Sequence, residues 1–171
     1  MRLTEQFEWD ILPIVNPIRG VLPLTATVVS IVYSPQPGSY NRKPVPDATL
    51  LAGYGIDGDR KGGNPKRNLN IMDQETLDTL ESEGIPTDPG VLGENLILSG
   101  VRLDATPPGT RIRIGQQALI EMIALREPCY KLTALDASMP GSVVGRVGVM
   151  ARVLEGGVVH VGDAVVVLDG E

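Results

Sequence analysis

The sequence carries one cysteine, Cys129, in the run Arg126-Glu127-Pro128-Cys129-Tyr130-Lys131-Leu132. An apolar stretch precedes it, and Tyr130 to Asp136 can form a short helix after it. A thiol at that junction would feel helix N-terminal amides, with Arg126 and Lys131 adding positive charge. Each effect lowers a thiol pKa and favours the thiolate, the form that attacks sulfur or ligates a soft metal. Free cysteine is also often a small buried hydrophobe. At this level a reactive thiol and an inert one both stay open.

Two further groupings could bear chemistry. Gly53-Tyr54-Gly55-Ile56-Asp57-Gly58-Asp59-Arg60 resembles a ligand-approaching loop, with Arg60, Lys61 and Arg67 as donors for an anion. It lacks the Gly-Lys-Ser/Thr of a P-loop, and no Glu closes a twelve-residue calcium loop. A plain turn is the simpler reading of that stretch alone. Gly93-Glu94-Asn95-Leu96 puts a carboxylate and an amide on alternate faces where an apolar strand begins, so one can point into a cavity while its neighbour braces a loop. The plain alternative is a surface strand start. His160, in Val158-Val159-His160-Val161, reads as an ordinary strand histidine, and Phe7 and Trp9 as anchors onto a core.

The elements that must position these residues are mostly strands. Thr25 to Tyr33 is β-branched and aromatic, Ser34 to Pro46 is a proline-rich loop, and Ala48 to Tyr54 resumes an extended course. The one clear helix is Gln74 to Glu83, with Asp73 as N-cap, Gly84 as stop, and Leu77 and Leu80 as its buried stripe. Arg111 to Ile114 with Ala118 to Ile123 reads as a hairpin. So does Val149 to Leu154 with Val158 to Val161 across Glu155-Gly156-Gly157, and Ala164 to Leu168 is a last strand. Short strands at regular spacing favour a barrel or sandwich over a βαβ sheet. Residues 1 to 24 read as an N-terminal arm on a domain of residues 25 to 168.

Composition narrows the classes. A length of 171 residues, 42% apolar, suits one domain, which at this size buries about 70% of its unfolded surface. One cysteine precludes an internal disulfide, and with one histidine it precludes a zinc finger or an all-sulfur cage within this sequence. A net charge of -6 argues against a nucleic-acid partner. The charge is uneven, however. Asp73 to Glu94 holds seven acids and no Lys or Arg, directly after the cluster Arg60, Lys61, Lys66 and Arg67. The acidic start does not suit a signal peptide, and the apolar run near Val21 to Val32 is too short to span a membrane. The expectation is a cytoplasmic protein with a reduced thiol and no membrane or nucleic-acid partner.

Taken in order, Gly55-Ile56-Asp57-Gly58-Asp59-Arg60, Arg67, Gly93-Glu94-Asn95-Leu96, Gly109, Ile114-Gly115, Pro128-Cys129 and Gly148 through Gly162-Asp163 resemble the MOSC domain. That module is named for the C-terminal part of molybdenum cofactor sulfurases and also stands alone in bacteria. The resemblance, over about Thr25 to Leu168, implies a mainly β fold: a closed antiparallel β-barrel similar to the barrel domain of pyruvate kinase, with a few short helices. It implies a molybdopterin-type molybdenum cofactor, or carried sulfur, at Cys129 as the reacting residue and metal ligand. Arg60, Lys61, Arg67 and Arg126 would supply positive potential, and Asn95 and Arg146 would complete the pocket wall.

Some members of that family reduce N-hydroxylated compounds with a separate electron-donor protein. Others are fused to pyridoxal-phosphate cysteine-desulfurase-like domains, which makes a cysteine desulfurase a candidate sulfur donor. This chain has no Schiff-base lysine context, so no pyridoxal phosphate is expected in it. Many stand-alone members carry His after Gly-Asp-Arg, where this sequence has Lys61. The change weakens the reductase expectation if that histidine contacts cofactor or moves a proton, although Lys61 can still hold an oxyanion as a point charge. The alternative from a different class is a non-catalytic barrel that binds a small anion or a partner protein, with Cys129 inert.

Overall fold

The computed structural model describes residues 25–35 and 42–168. The expected arm of residues 1 to 24, with Phe7 and Trp9, lies outside them.

Eleven strands are present among the described residues: β1 Thr27–Tyr33, β2 Lys43–Val45, β3 Asp47–Leu51, β4 Gly55–Ile56, β5 Leu69–Asp73, β6 Leu96–Ser99, β7 Arg111–Ile114, β8 Ala118–Leu125, β9 Val149–Glu155, β10 Gly157–His160 and β11 Val165–Leu168. Helix α1, Gln74–Ser82, follows β5. Short 3-10 turns at Leu103–Ala105 and Tyr130–Ala134 and a four-residue helix, α2, at Met139–Ser142 complete the set. The protein is mainly β, as its composition and turn spacing predict.

One sheet runs β11-β7-β8-β9-β5-β6-β1-β2 and a second runs β10-β3-β4. The sheets do not close into a barrel through a continuous ladder. β1 and β11 instead meet at the bridge Thr27 to Ala164, flanked by Val28 N–H donating to Asp163 O (3.0 Å) and Val165 N–H to Ala26 O (2.8 Å).

Three local expectations are corrected. Lys43–Val45 lies within the expected loop yet pairs with β1, because an edge strand tolerates Pro44. β5 and β6 run parallel with α1 as their crossover, so one βαβ unit sits inside the otherwise antiparallel sheet. β9 and β10 form no hairpin. After Glu155 the chain leaves the large sheet, and β10 pairs with β3, Gly157 opposite Leu50. Gly156 permits that crossing, since a Cβ there would stand 2.6 Å from the Leu50 carbonyl oxygen.

Strand alternation builds two apolar clusters on opposite faces of the sheet. Ile71, Leu96 and Leu98 enter the main core with Ile31, Ile112 and Ile120. Their neighbours Met72 and Ile97 face the other way, under Leu77 and Leu80 of α1. Asp73 caps α1 by accepting from Thr76 N–H at 2.8 Å, a contact that contributes about 1 kcal/mol. Leu132 and Met139 join the second cluster and anchor the Tyr130–Ala134 turn and α2. That anchoring fixes where Cys129 stands.

Candidate functional site

The chain entering β6 organises the site. Three successive backbone carbonyls each accept from a different cationic side chain. Arg126 Nη2 donates to Leu92 O at 2.8 Å, Lys61 Nζ to Gly93 O at 3.4 Å, and Arg42 Nη1 to Glu94 O at 2.8 Å. These cations come from the end of β8, the loop after β4 and the segment before β2. Distant parts of the chain thus converge on one short spine.

Gly93 has φ 90°, a left-handed value that favours glycine. A Cβ there would stand 3.2 Å from Arg126 Nη2 and 3.8 Å from Lys61 Nζ. The missing side chain leaves the space into which the two cations project.

Two buried acids partly offset this charge. Glu94 is fully buried; its Oε1 accepts from Gly90 N–H at 2.6 Å, while its Oε2 has no hydrogen-bond partner. Asp59 accepts from Asn95 Nδ2 at 3.0 Å and from Ser34 N–H at 3.3 Å. Asn95 is a hub: Nδ2 also donates to Val32 O (3.2 Å), and Oδ1 accepts from Asn70 N–H (3.2 Å). It is 1% exposed, so this satisfied amide joins β1, β5 and the Gly-rich loop.

A cavity of about 290 Å³ opens beside this hub, lined by Lys61, Asn64, Arg67, Asn68, Asn70 and Asn95. Its wall is cationic and amide-rich, suited to a charged ligand with several hydrogen-bonding edges. Burial pulls the Lys61 ammonium down to about 8, with Arg42 and Arg126 pushing the same way and Asp59 opposing them. Burial likewise lowers the Arg126 guanidinium to about 10; Glu94 and Cys129 oppose that shift, while Arg42 and Arg67 add to it.

Cys129 is exposed and caps the Tyr130–Ala134 turn, its carbonyl accepting from Leu132 N–H at 3.0 Å. A thiolate at this position would act on Arg126, which places the residue in the neighbourhood of the cationic spine, although it does not line the cavity. Among the described residues no three His, Cys, Asp or Glu side chains are grouped to hold a metal ion. Cys129 offers one soft donor, and the cavity wall, which it does not line, offers cations and amides.

Of the residues singled out in the sequence, Lys61, Arg67 and Asn95 line the cavity. Arg126 flanks it across Gly93, and Arg60 acts on Arg42 and Lys61 through its charge. Arg146 stands elsewhere, in a two-pronged pair with Glu83 at 2.7 and 2.9 Å and bonded to Ser142 O at 2.6 Å. It joins α2 to the end of α1 and does not line the cavity. His160 is an exposed strand residue, with Nδ1 3.6 Å from Asp163 Oδ2. Arg42, Asn64, Asn68 and Asn70 were not singled out. The spacing Asn64, Asn68, Asn70 beside Arg67 is a visible cluster of amides, whereas Arg42 in a proline-rich stretch carries no such signal.

A model of the MOSC domain matches residues 57–166, the span from the Gly-rich loop through Cys129 to β11. The chain belongs to the MOSC domain family. Solved structures of this MOSC protein's fold include YiiM from Geobacillus stearothermophilus, at 24% identity and a TM-score of 0.69 over 84% of this chain and 75% of that one. YuaD from Bacillus subtilis matches at 21% identity and 0.69 over 83% and 94%, and YiiM from Escherichia coli at 23% and 0.66 over 85% and 71%. No curated protein matched by sequence. No helix among the described residues is long and apolar enough to cross a membrane.

Proposed function

We propose that this MOSC domain binds a molybdopterin-type molybdenum cofactor at the cationic cavity, with Cys129 as the protein's ligand to the metal. The observation that carries this reading is a cavity walled by cations and amides and flanked across Gly93 by Arg126, the cation on which the exposed Cys129, itself outside the cavity lining, acts electrostatically. Lys61, Arg67 and Arg126 would hold the phosphate and oxo groups, and Asn64, Asn68 and Asn70 would meet the polar edges of the pterin. The bound cofactor would supply two-electron redox chemistry, with an N-hydroxylated compound as the class of substrate and a separate protein as electron donor. The chain's own part is to bind, to orient and to place positive potential where oxygen leaves.

The same thiol supports sulfur transfer. The Cys129 thiolate attacks the outer sulfur of a donor persulfide, a new S–S bond forms, and the donor leaves as its thiolate with no net redox change. A cysteine desulfurase is the kind of donor this needs. We also read the large sheet as a barrel, with support from the bridge and backbone bonds between β1 and β11.

The test is purification from a host that makes molybdenum cofactor, followed by metal and pterin analysis. The reading predicts molybdenum and pterin near one per chain, lost in Cys129→Ala without loss of fold. Absence of both from anaerobically prepared wild type overturns the cofactor reading and leaves sulfur transfer, or an anion-binding module with an inert thiol.

A further inference from the structure

Lys61 is a half-buried cation of the site with little compensation. Its ammonium is held by one long contact, 3.4 Å to Gly93 O, a carbonyl that Asn70 Nδ2 already occupies at 3.0 Å. Among the described residues no carboxylate stands within ion-pair distance of Nζ. Charges face it from every side: Arg42 from the segment before β2, Asp59 and Arg60 from its own loop, and Arg126 from the end of β8. Arg67 lines the same cavity, and Glu94 acts on Arg42 and Arg126 from the spine. Lys61, Arg42, Arg67 and Arg126 set four cations against the two buried acids Asp59 and Glu94, a balance that favours either a bound anion or the departure of a proton. Arginine holds its proton far more tightly than lysine, so the proton leaves Lys61.

We propose that Lys61 is a proton-operated switch in an oxyanion site: protonated, it holds a doubly charged oxyanion with Arg67 and Arg126, and deprotonated, it releases that anion. The ligand class is a tetrahedral dianion such as sulfate, molybdate or a phosphate monoester. The proposal deepens the cofactor reading, since that cofactor carries a phosphate, but sulfate binding at Lys61 does not require Cys129 or molybdenum. Burial brings the titration near pH 8. Below that pH the ammonium is present and the site is closed on its anion; above it the anion's affinity falls.

The test is calorimetric binding of sulfate, which keeps one charge state from pH 6.5 to 9.5, to cofactor-free full-length protein at constant ionic strength. In wild type the Kd rises toward about tenfold per pH unit above the Lys61 midpoint. In Lys61→Arg it stays flat, because that side chain keeps its charge across the range. A second readout is the Lys61 signal in a spectrum of carbon-13-labelled lysines, with a midpoint near 8 that saturating sulfate moves upward. A flat wild-type profile, the same slope in Lys61→Arg, or no sulfate binding at any pH overturns the proposal. Cys129→Ser retains the slope, so a failure of cofactor loading with the slope intact removes the cofactor reading and not this one.

Discussion

Arg126 and Lys61 project past Gly93 into the space its absent side chain leaves, 3.2 Å and 3.8 Å from where a Cβ would stand. The two residues are far apart in sequence and come from different loops. One three-residue stretch of backbone gathers them with Arg42, and the electrostatics of the cavity follow from that arrangement.

Gly93→Ala tests this directly. The added methyl crowds both cations, and φ 90° strains any L side chain by about 1–2 kcal/mol. Urea unfolding should show that loss, and sulfate or cofactor binding should weaken further than the stability change accounts for.

Asn95→Leu keeps the branched side-chain shape but removes three hydrogen bonds. It orphans Asp59 Oδ2, Val32 O and Asn70 N–H in a buried setting. At about 1–3 kcal/mol for each orphaned group, the total should reach about 3 kcal/mol or more by denaturant unfolding.

Arg126→Ala and Arg146→Ala should separate the site from its surroundings. The first removes a charge beside Cys129 and should lower cofactor or anion affinity by about tenfold. The second breaks an exposed pair with Glu83 and should leave both affinity and unfolding midpoint close to wild type.

Lys61→Met should stabilise the protein at pH 7. In the fold Lys61 titrates near 8, below its ordinary 10.5, so folding is opposed by its charge at every pH below 8. That penalty fades as pH rises from 8 to 10.5. Wild type should therefore gain on Lys61→Met across that window in urea unfolding at pH 7 and pH 10. A constant difference between the two proteins would contradict the assignment.

Much of this was legible in the sequence where one residue carries one local signal. Asp73 and Gly84 bound α1, the β7–β8 hairpin follows its turn, and the ordered Gly-rich motifs carry the family. The misses are non-local. Glu155-Gly156-Gly157 has the composition of a hairpin turn, but Gly156 serves a close backbone crossing over Leu50. β5 hid because Asn68 stands just before it and Asn70 interrupts its short apolar run, and both line the cavity. Arg42 is placed by a tertiary contact to Glu94 O, and Arg146 is drawn away by Glu83; neither outcome has a signature along the chain.

The most direct measurement is molybdenum K-edge absorption on cofactor-loaded wild type and Cys129→Ser. The account predicts one more sulfur ligand to molybdenum in wild type than in the variant. An equal sulfur count in the two proteins, or a wild type that carries no molybdenum, would contradict it.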